Sequence, residues 1–266
     1  MAGVGVAYVL AICLAQALNQ TQDLTGPLLE LFTLGTIADL APLTGVNRRW
    51  VRRGLSLLPR SRILGVQALI EVAGLADQNK PLKPEHIGFR LGPRINAVGR
   101  LSDPEIVIDL LTTDDVGRAL ERAMQCEQIN TRRQELCQQI EQEAIAWCEK
   151  QQRQGTIDLA QERLLLVVQP HWHHGVIGIV ASRLVERYGV PVFIGTYEDE
   201  EQKVVPGSAR GFQNLMCLGP WKPVGICWKS SADIGRLEDF PSPPSICARS
   251  SLAWLTMPVS NSPPIC

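Results

Sequence analysis

Little in this sequence belongs to a disulfide-braced, zinc-held or strongly charged protein. Aromatic residues make up only 5% of the 266 positions. The formal net charge is −1, so no global field draws the chain toward nucleic acid or membrane, and any such contact must come from local patches. The eight cysteines include no CxxC pair, which argues against a structural zinc site. Cys126, Cys137 and Cys148 stand 11 apart on one helical pattern, too far to bridge within it. Four more (Cys217, Cys227, Cys247, Cys266) fall in an atypical tail, and a reducing cytoplasmic setting is the compartment this usage points to. No lysine or arginine precedes the apolar opening run Met1–Leu18, as the first region of a signal peptide requires. At about 18 residues the run is also marginal for a membrane span. We expect a buried core helix there and no membrane association.

What is present fits a soluble globular chain: 45% apolar and 20% charged residues, with room for one large domain or two small ones. Helical patterns dominate the first hundred positions. Pro27 lies near the start of a helix through LLELFTLGTIADL, which Pro42 ends; Asn47 is a candidate N-cap for RRWVRRGLSLL; Gly74 closes VQALIEVAG. Between Pro84 and Leu101, Gly88, Gly92, Pro93 and Gly99 imply alternating helix and loop. From about Asp115 to Gln152 a Gln- and Glu-rich stretch with apolar residues at helical spacing reads as one long connecting helix, ended by Gly155. LLLVV (164–168), the helix VIGIVASRLVERYG and VPVFIGT (190–196) form a strand–helix–strand unit, with KVVPGSAR as a third strand; this order implies a right-handed crossover and at least partly parallel pairing. The fold class is α/β: a mostly helical first lobe, a long helix, then a small α/β lobe.

Five places carry candidate chemistry, each with a plain reading beside the functional one. Asp39, in GTIADLAPL, is either a helix-end cap or a metal ligand, since a carboxylate in apolar surroundings is costly unless paired. Arg48, Arg49, Arg52, Arg53, Arg60 and Arg62 form a solvated face or a phosphate-facing one. Arg90, Arg94, Asn96 and Arg100, in GFRLGPRINAVGR, belong to an ordinary turn or to a close phosphate contact. His173 and His174 precede a helix start, where a histidine either caps the helix or joins its N–H groups in holding an anion. As a zinc site the pair lacks a third ligand. Ser208 and Arg210, in PGSARG, lie on a strand edge able to hold a phosphate or a terminal nucleotide.

The order of these motifs is more specific than any one of them. GTIADLAPL, GFRLGPRINAVGR, a long helix, WHHGVIGIVASRLVERYGVP and GSAR follow one another as in RecJ-type single-strand exonucleases of the DHH phosphoesterase superfamily, which the chain resembles from about Ala2 to Gly211. The resemblance implies residues 1–114 as the C-terminal part of a DHH domain, 115–155 as the connecting helix and 156–211 as part of a DHH-associated, nucleic-acid-binding domain. It implies 5′ to 3′ hydrolysis of single-stranded DNA in repair and recombination, assisted by Mn2+ or Mg2+. By position, Asp39 matches the last metal-binding aspartate. Arg94, Asn96 and Arg100 match the DNA-binding arginine motif, His173 the histidine before the GVIGIVA helix, and Ser208 and Arg210 the substrate-gripping pair. The Asp-x-Asp, the further Asp and the Asp-His-His of the family would precede MAGVGVA and are absent from this sequence. The expectation is therefore a fragment, inactive as this chain alone and needing a separate upstream chain for hydrolysis, with no catalytic residue assigned here. The alternatives are a non-catalytic single-strand-binding module and a non-functional remnant.

The tail, 212–266, holds eight of the 18 prolines and three of the six tryptophans without sustained periodicity, and is expected to be aberrant and disordered. Shifting the reading frame explains it. From Gly225 the shifted codons permit DLLEKFGGHRQAGGFS, and from Phe212 they permit PEFNVFGALEACG. These strings restore helical periodicity and the Gly-Gly-His that the family carries there, so a frameshift near Gly211 is expected.

Overall fold

The computed structural model describes residues 2–21, 24–76, 81–198, 204–211 and 236–238. The aberrant-tail and frameshift expectations lie outside the described residues, apart from 236–238. The chain divides into two compact units, Met1–Arg133 and Gln134–Cys266, and the division falls inside one helix.

The first unit is helical. It holds α1 (Gly3–Ala17), α2 (Thr25–Ala38), α3 (Gly45–Leu57) with a 3-10 turn Leu58–Arg60, and α4 (Leu64–Val72). These are followed by α5 (Pro84–His86), a π-helical turn Ile87–Leu91, α6 (Gly92–Leu101), α7 (Glu105–Thr112) and the first half of α8 (Val116–Arg153). Phe32, Leu58, Leu69, Ile87, Leu91 and Leu110 are fully buried and form one core with Val51, Val66, Val98 and Cys126. Each such side chain contributes about 1.5–3 kcal/mol relative to exposure. Tyr8, Phe32 and Trp50 tie α1, α2 and α3 together through rings 5.1–5.4 Å apart. Glycines set how closely the helices approach: a Cβ at Gly54 would lie 1.9 Å from the Thr33 hydroxyl, and one at Gly65 would lie 1.9 Å from the Leu110 carbonyl oxygen.

Three expectations are corrected here. The opening helix is not a buried core helix. It meets α2 along one stripe, where Val4 packs over Gly35, while Leu10 (69% exposed), Val6 and Leu14 face outward. A helix apolar on every side buries only the side that has a neighbour. Asn47 does not cap α3. Thr44 holds the cap position, and Asn47 is buried one turn in, donating its side-chain N–H to the Pro42 carbonyl at 3.2 Å. The stretch Pro84–Leu101 does not alternate with loop but is helical throughout. Pro93 has no N–H to give an α-helix, and the π-helical turn before it absorbs that loss, with Gly92 N–H bonding back to the Ile87 carbonyl. Gly92 is there for packing, since a Cβ would come within 3.1 Å of Ala38.

The second unit contains the rest of α8, α9 (Leu159–Glu162), β1 (Leu165–Pro170), α10 (His174–Tyr188), β2 (Val192–Tyr197), β3 (Val204–Arg210) and β4 (Arg236–Glu238). The sheet order is β1-β2-β3-β4. β1 and β2 pair in parallel, Leu165 opposite Val192, with α10 as the crossover; β3 pairs antiparallel to β2, Ile194 opposite Ser208, and β4 antiparallel to β3. Alternation puts Leu165, Val167, Val192 and Ile194 into the core beside Val176, Ile177, Val180 and Leu184 of α10. α10 ends where Gly189 takes φ +67°, its N–H bonding to the Val185 carbonyl. From α8, Cys137, Ile140, Ala144 and Cys148 complete this core, and Glu143 accepts a 2.6 Å hydrogen bond from the Trp172 indole N–H. Among the described residues no helix is long and apolar enough to cross a membrane.

Candidate phosphate-binding site

In the first unit the end of α2 and the face of α6 meet. Asp39 is the C-cap residue of α2 and is exposed, not enclosed by apolar neighbours as its sequence context suggested. The chain then turns through Leu40, a non-glycine residue at φ +52°, while Leu40 N–H and Ala41 N–H bond to the Ile37 and Thr36 carbonyls. That left-handed conformation costs a leucine about 1–2 kcal/mol, and the helix-end hydrogen bonds hold it in place. Asn96 of α6 donates to the Ala38 carbonyl at 3.3 Å, which fixes α6 beside Asp39.

The arginines of this stretch differ among themselves. Arg94 is only 13% exposed and is turned inward. Its Nε lies 2.5 Å from Glu127 Oε2 of α8, off the line of a hydrogen bond, and its Nη1 donates to the Arg90 carbonyl. Arg90 and Arg100 are exposed, as is Asn96. Glu127 was not legible as a site residue, because it lies 33 positions from Arg94 on a different element. Nothing in the sequence marks it apart from the other glutamates of α8.

In the second unit His173 is the N-cap of α10. Its Nδ1 accepts from Gly175 N–H at 3.1 Å, which places the ring proton of the neutral form on Nε2. The His173 and His174 rings stack with centroids 5.0 Å apart. Ser208 and Arg210 are two apart on β3 and so share a face, and Arg210 Nη1 donates to Ser208 Oγ at 3.1 Å and to the Ala209 carbonyl at 2.8 Å. Both lie against α10 at Gly178, where a Cβ would sit 3.0 Å from Ser208 Oγ and 3.1 Å from Arg210 Nη2. The structure therefore joins the Ser–Arg pair to the first turns of a histidine-capped helix. Gly178 was not singled out from the sequence, although a small residue inside an otherwise apolar helix is the signal for such a close approach.

Among the described residues no three His, Cys, Asp or Glu side chains gather where they would share an ion. A pair of divalent cations needs several oxygen or imidazole ligands for each ion. Asp39 alone does not fit that requirement.

Fold and site place the chain in the class of helix-linked α/β proteins with arginine, serine and histidine groups, exposed or half-buried, at helix and strand ends. No protein-family model matches it. It is 37% identical over 217 residues to the single-stranded-DNA-specific exonuclease RecJ of Bacillus subtilis, covering 81% of this chain and 25% of the relative. It is 36% identical over 228 residues to RecJ of Escherichia coli, covering 81% of this chain and 38% of the relative. The crystal structure of Thermus thermophilus RecJ with Mg2+ superposes with a TM-score of 0.65 at 32% identity, over 78% of this chain and 30% of that one. An exonuclease RecJ bound to manganese superposes with a TM-score of 0.64 at 32% identity, over 78% of this chain and 48% of that one. Over the matched residues the chain belongs to the RecJ family. It spans between a quarter and two fifths of the length of these curated relatives.

Proposed function

We propose that this chain is the single-strand-gripping part of a RecJ-type 5′ to 3′ exonuclease of DNA repair and recombination, working in the cytoplasm, and that alone it binds DNA without hydrolysing it. The Ser208–Arg210 pair seated over Gly178 carries the reading. A phosphate there would meet two kinds of donor, the Ser208 hydroxyl and the Arg210 guanidinium, near the end of α10 whose dipole favours an anion. His173 holds the helix start in register by accepting from Gly175. In the first unit, exposed Asn96 and Arg100 would face the strand, and Arg94, paired with Glu127, would hold α6 in position for them.

The relatives' structures carry Mg2+ or Mn2+. In a two-metal site such ions activate water and stabilise the attacking and leaving oxygens. The residues described here do not suffice to hold them, so hydrolysis would require a separate upstream chain supplying further carboxylates and histidines, with Asp39 as this chain's contribution. The regions 1–114, 115–155 and 156–211 would then act as the end of a DHH domain, its connecting helix and a partial DHH-associated domain.

The reading is tested by fluorescence anisotropy with labelled single-stranded and duplex oligonucleotides. Preferential, salt-dependent binding of the single strand, weakened by Arg210→Ala, is expected. Equal weak binding of both forms, unchanged by Arg210→Ala, would refute it.

A further inference from the structure

One charged surface is left out of this reading. From Leu40 to Ile70 the sequence contains no aspartate or glutamate, yet it contains six arginines: Arg48, Arg49, Arg52, Arg53, Arg60 and Arg62. All six are exposed. Arg48 and Arg52, and Arg49 and Arg53, are like charges at i and i+4 on α3, an arrangement that destabilises a helix. Several arginines elsewhere are given carboxylates. Arg118 and Arg122 share Asp109 at 2.8 and 2.7 Å, Arg94 meets Glu127, and Arg183 meets Glu141 at 2.6 Å. Among the described residues none of the six arginines of this surface has an ion-pair partner.

The inner side of α3 explains why these charges cannot turn away. Val51 and Gly54 are buried, Trp50 is wedged between Tyr8 and Phe32, and Gly54 brings the α3 backbone against α2 so closely that no side chain fits. The helix is locked with its cationic side outward.

We propose that the outer face of α3, continued by Arg60 and Arg62, is a second nucleic-acid contact that tracks the phosphates of a single strand, separate from the α6 arginines and the Ser208–Arg210 pair. It rests on the single-strand reading above and adds a binding surface to it. Guanidinium forks suit phosphate oxygens, and every cation on this surface is an arginine. A membrane surface is the other polyanion of this kind, but a helix that lies on lipid inserts its apolar side, and the apolar side of α3 is already inside the core.

The test measures the affinity of the full chain for a labelled oligothymidylate as a function of salt. On a single strand each phosphate neutralised contributes a slope of about −0.7 in log K against log salt. Replacing Arg48, Arg49, Arg52 and Arg53 together with glutamine is therefore expected to make the slope shallower by about 3, from four lost contacts. The matching four-lysine variant is expected to keep the slope, and thermal unfolding shows whether each variant is folded. Should the four-glutamine protein not fold, Arg48→Gln with Arg52→Gln is expected to lose about half that slope. An unchanged slope in a folded variant, with Arg210→Ala still weakening binding, overturns this proposal and leaves the reading above intact. Absence of salt-dependent binding by the unsubstituted chain overturns both. Loss of binding to phosphatidylserine vesicles with oligothymidylate binding unaltered also overturns it, in favour of a lipid surface.

Discussion

The two units use the same residue types for different ends. In Met1–Arg133, glycine sets helix against helix: Gly54, Gly65 and Gly92 stand where any side chain would collide with a backbone or side chain of the neighbouring helix. In Gln134–Cys266, Gly178 sets a helix against a strand and beneath two polar side chains, Ser208 and Arg210, that reach the surface. Arginine divides in a related way. On α10, Arg183 and Arg187 are matched by Glu141 and Glu149 of α8, whereas among the described residues the arginines of α3 have no such match. A close approach deep in a core is structural, and one beneath polar groups near the surface would, on the proposed reading, also shape a site. Unmatched charge on a rigid element points outward to a partner.

The largest effect that would break this comparison is on stability. Gly65→Ala should destabilise the first unit by about 1–3 kcal/mol, because the new methyl meets the Leu110 backbone and one helix must move. Gly178→Ala should cost less than 1 kcal/mol in stability, since the atoms it meets belong to side chains able to shift, yet it should weaken single-strand binding. Thermal unfolding and anisotropy on both variants check the pair. A stability loss at Gly178 equal to that at Gly65 would erase the distinction. Next in size is Arg210→Ala, expected to weaken single-strand affinity about 10-fold, as loss of one charge-assisted hydrogen bond does.

A smaller effect sharpens the account of the first core. Glu30 is buried on α2, where desolvation raises its pKa above the ordinary carboxylate range and a hydrogen bond from the Ser61 hydroxyl partly offsets the rise. The unfolded chain therefore releases this proton at lower pH than the native state does. The stability tied to it is complete in acid and lost as pH climbs through the native value. Glu30→Gln keeps an acceptor for Ser61 and removes the charge, so its melting temperature should gain on that of the parent between acid and neutral pH. A gap independent of pH would contradict the assignment. Smallest of all is a difference in reactivity. Burial pushes the thiols of Cys126 and Cys148 up to about 11, whereas Cys13 is exposed. Iodoacetamide on the native chain followed by peptide mapping should label Cys13 well before Cys126, Cys137 or Cys148.

How much of this was legible in the sequence also differs between the units. The strand–helix–strand pattern of the second unit follows from short apolar runs and a glycine-closed amphipathic helix, and the observed parallel pairing of β1 with β2 agrees with it. In the first unit the glycines and Pro93 of GFRLGPRINAVGR suggested loops, because local chemistry does not show that a π-helical turn tolerates the proline or that Gly92 faces Ala38. The exposure of α1 was likewise hidden, since a uniformly apolar helix does not declare which side has a neighbour. The placement of Ser208 and Arg210 over the start of α10 required the antiparallel register of β3, which residue spacing alone does not supply.

The central proposal is that this chain holds a single strand and that its described residues do not suffice to cut it. Incubating the purified chain with 5′-labelled single-stranded DNA and Mn2+, and following both complex formation and release of label, tests that claim most directly. The account predicts a salt-sensitive complex with the label intact over a time in which a full-length RecJ digests the strand. Processive release of 5′ nucleotides by the chain alone would contradict it.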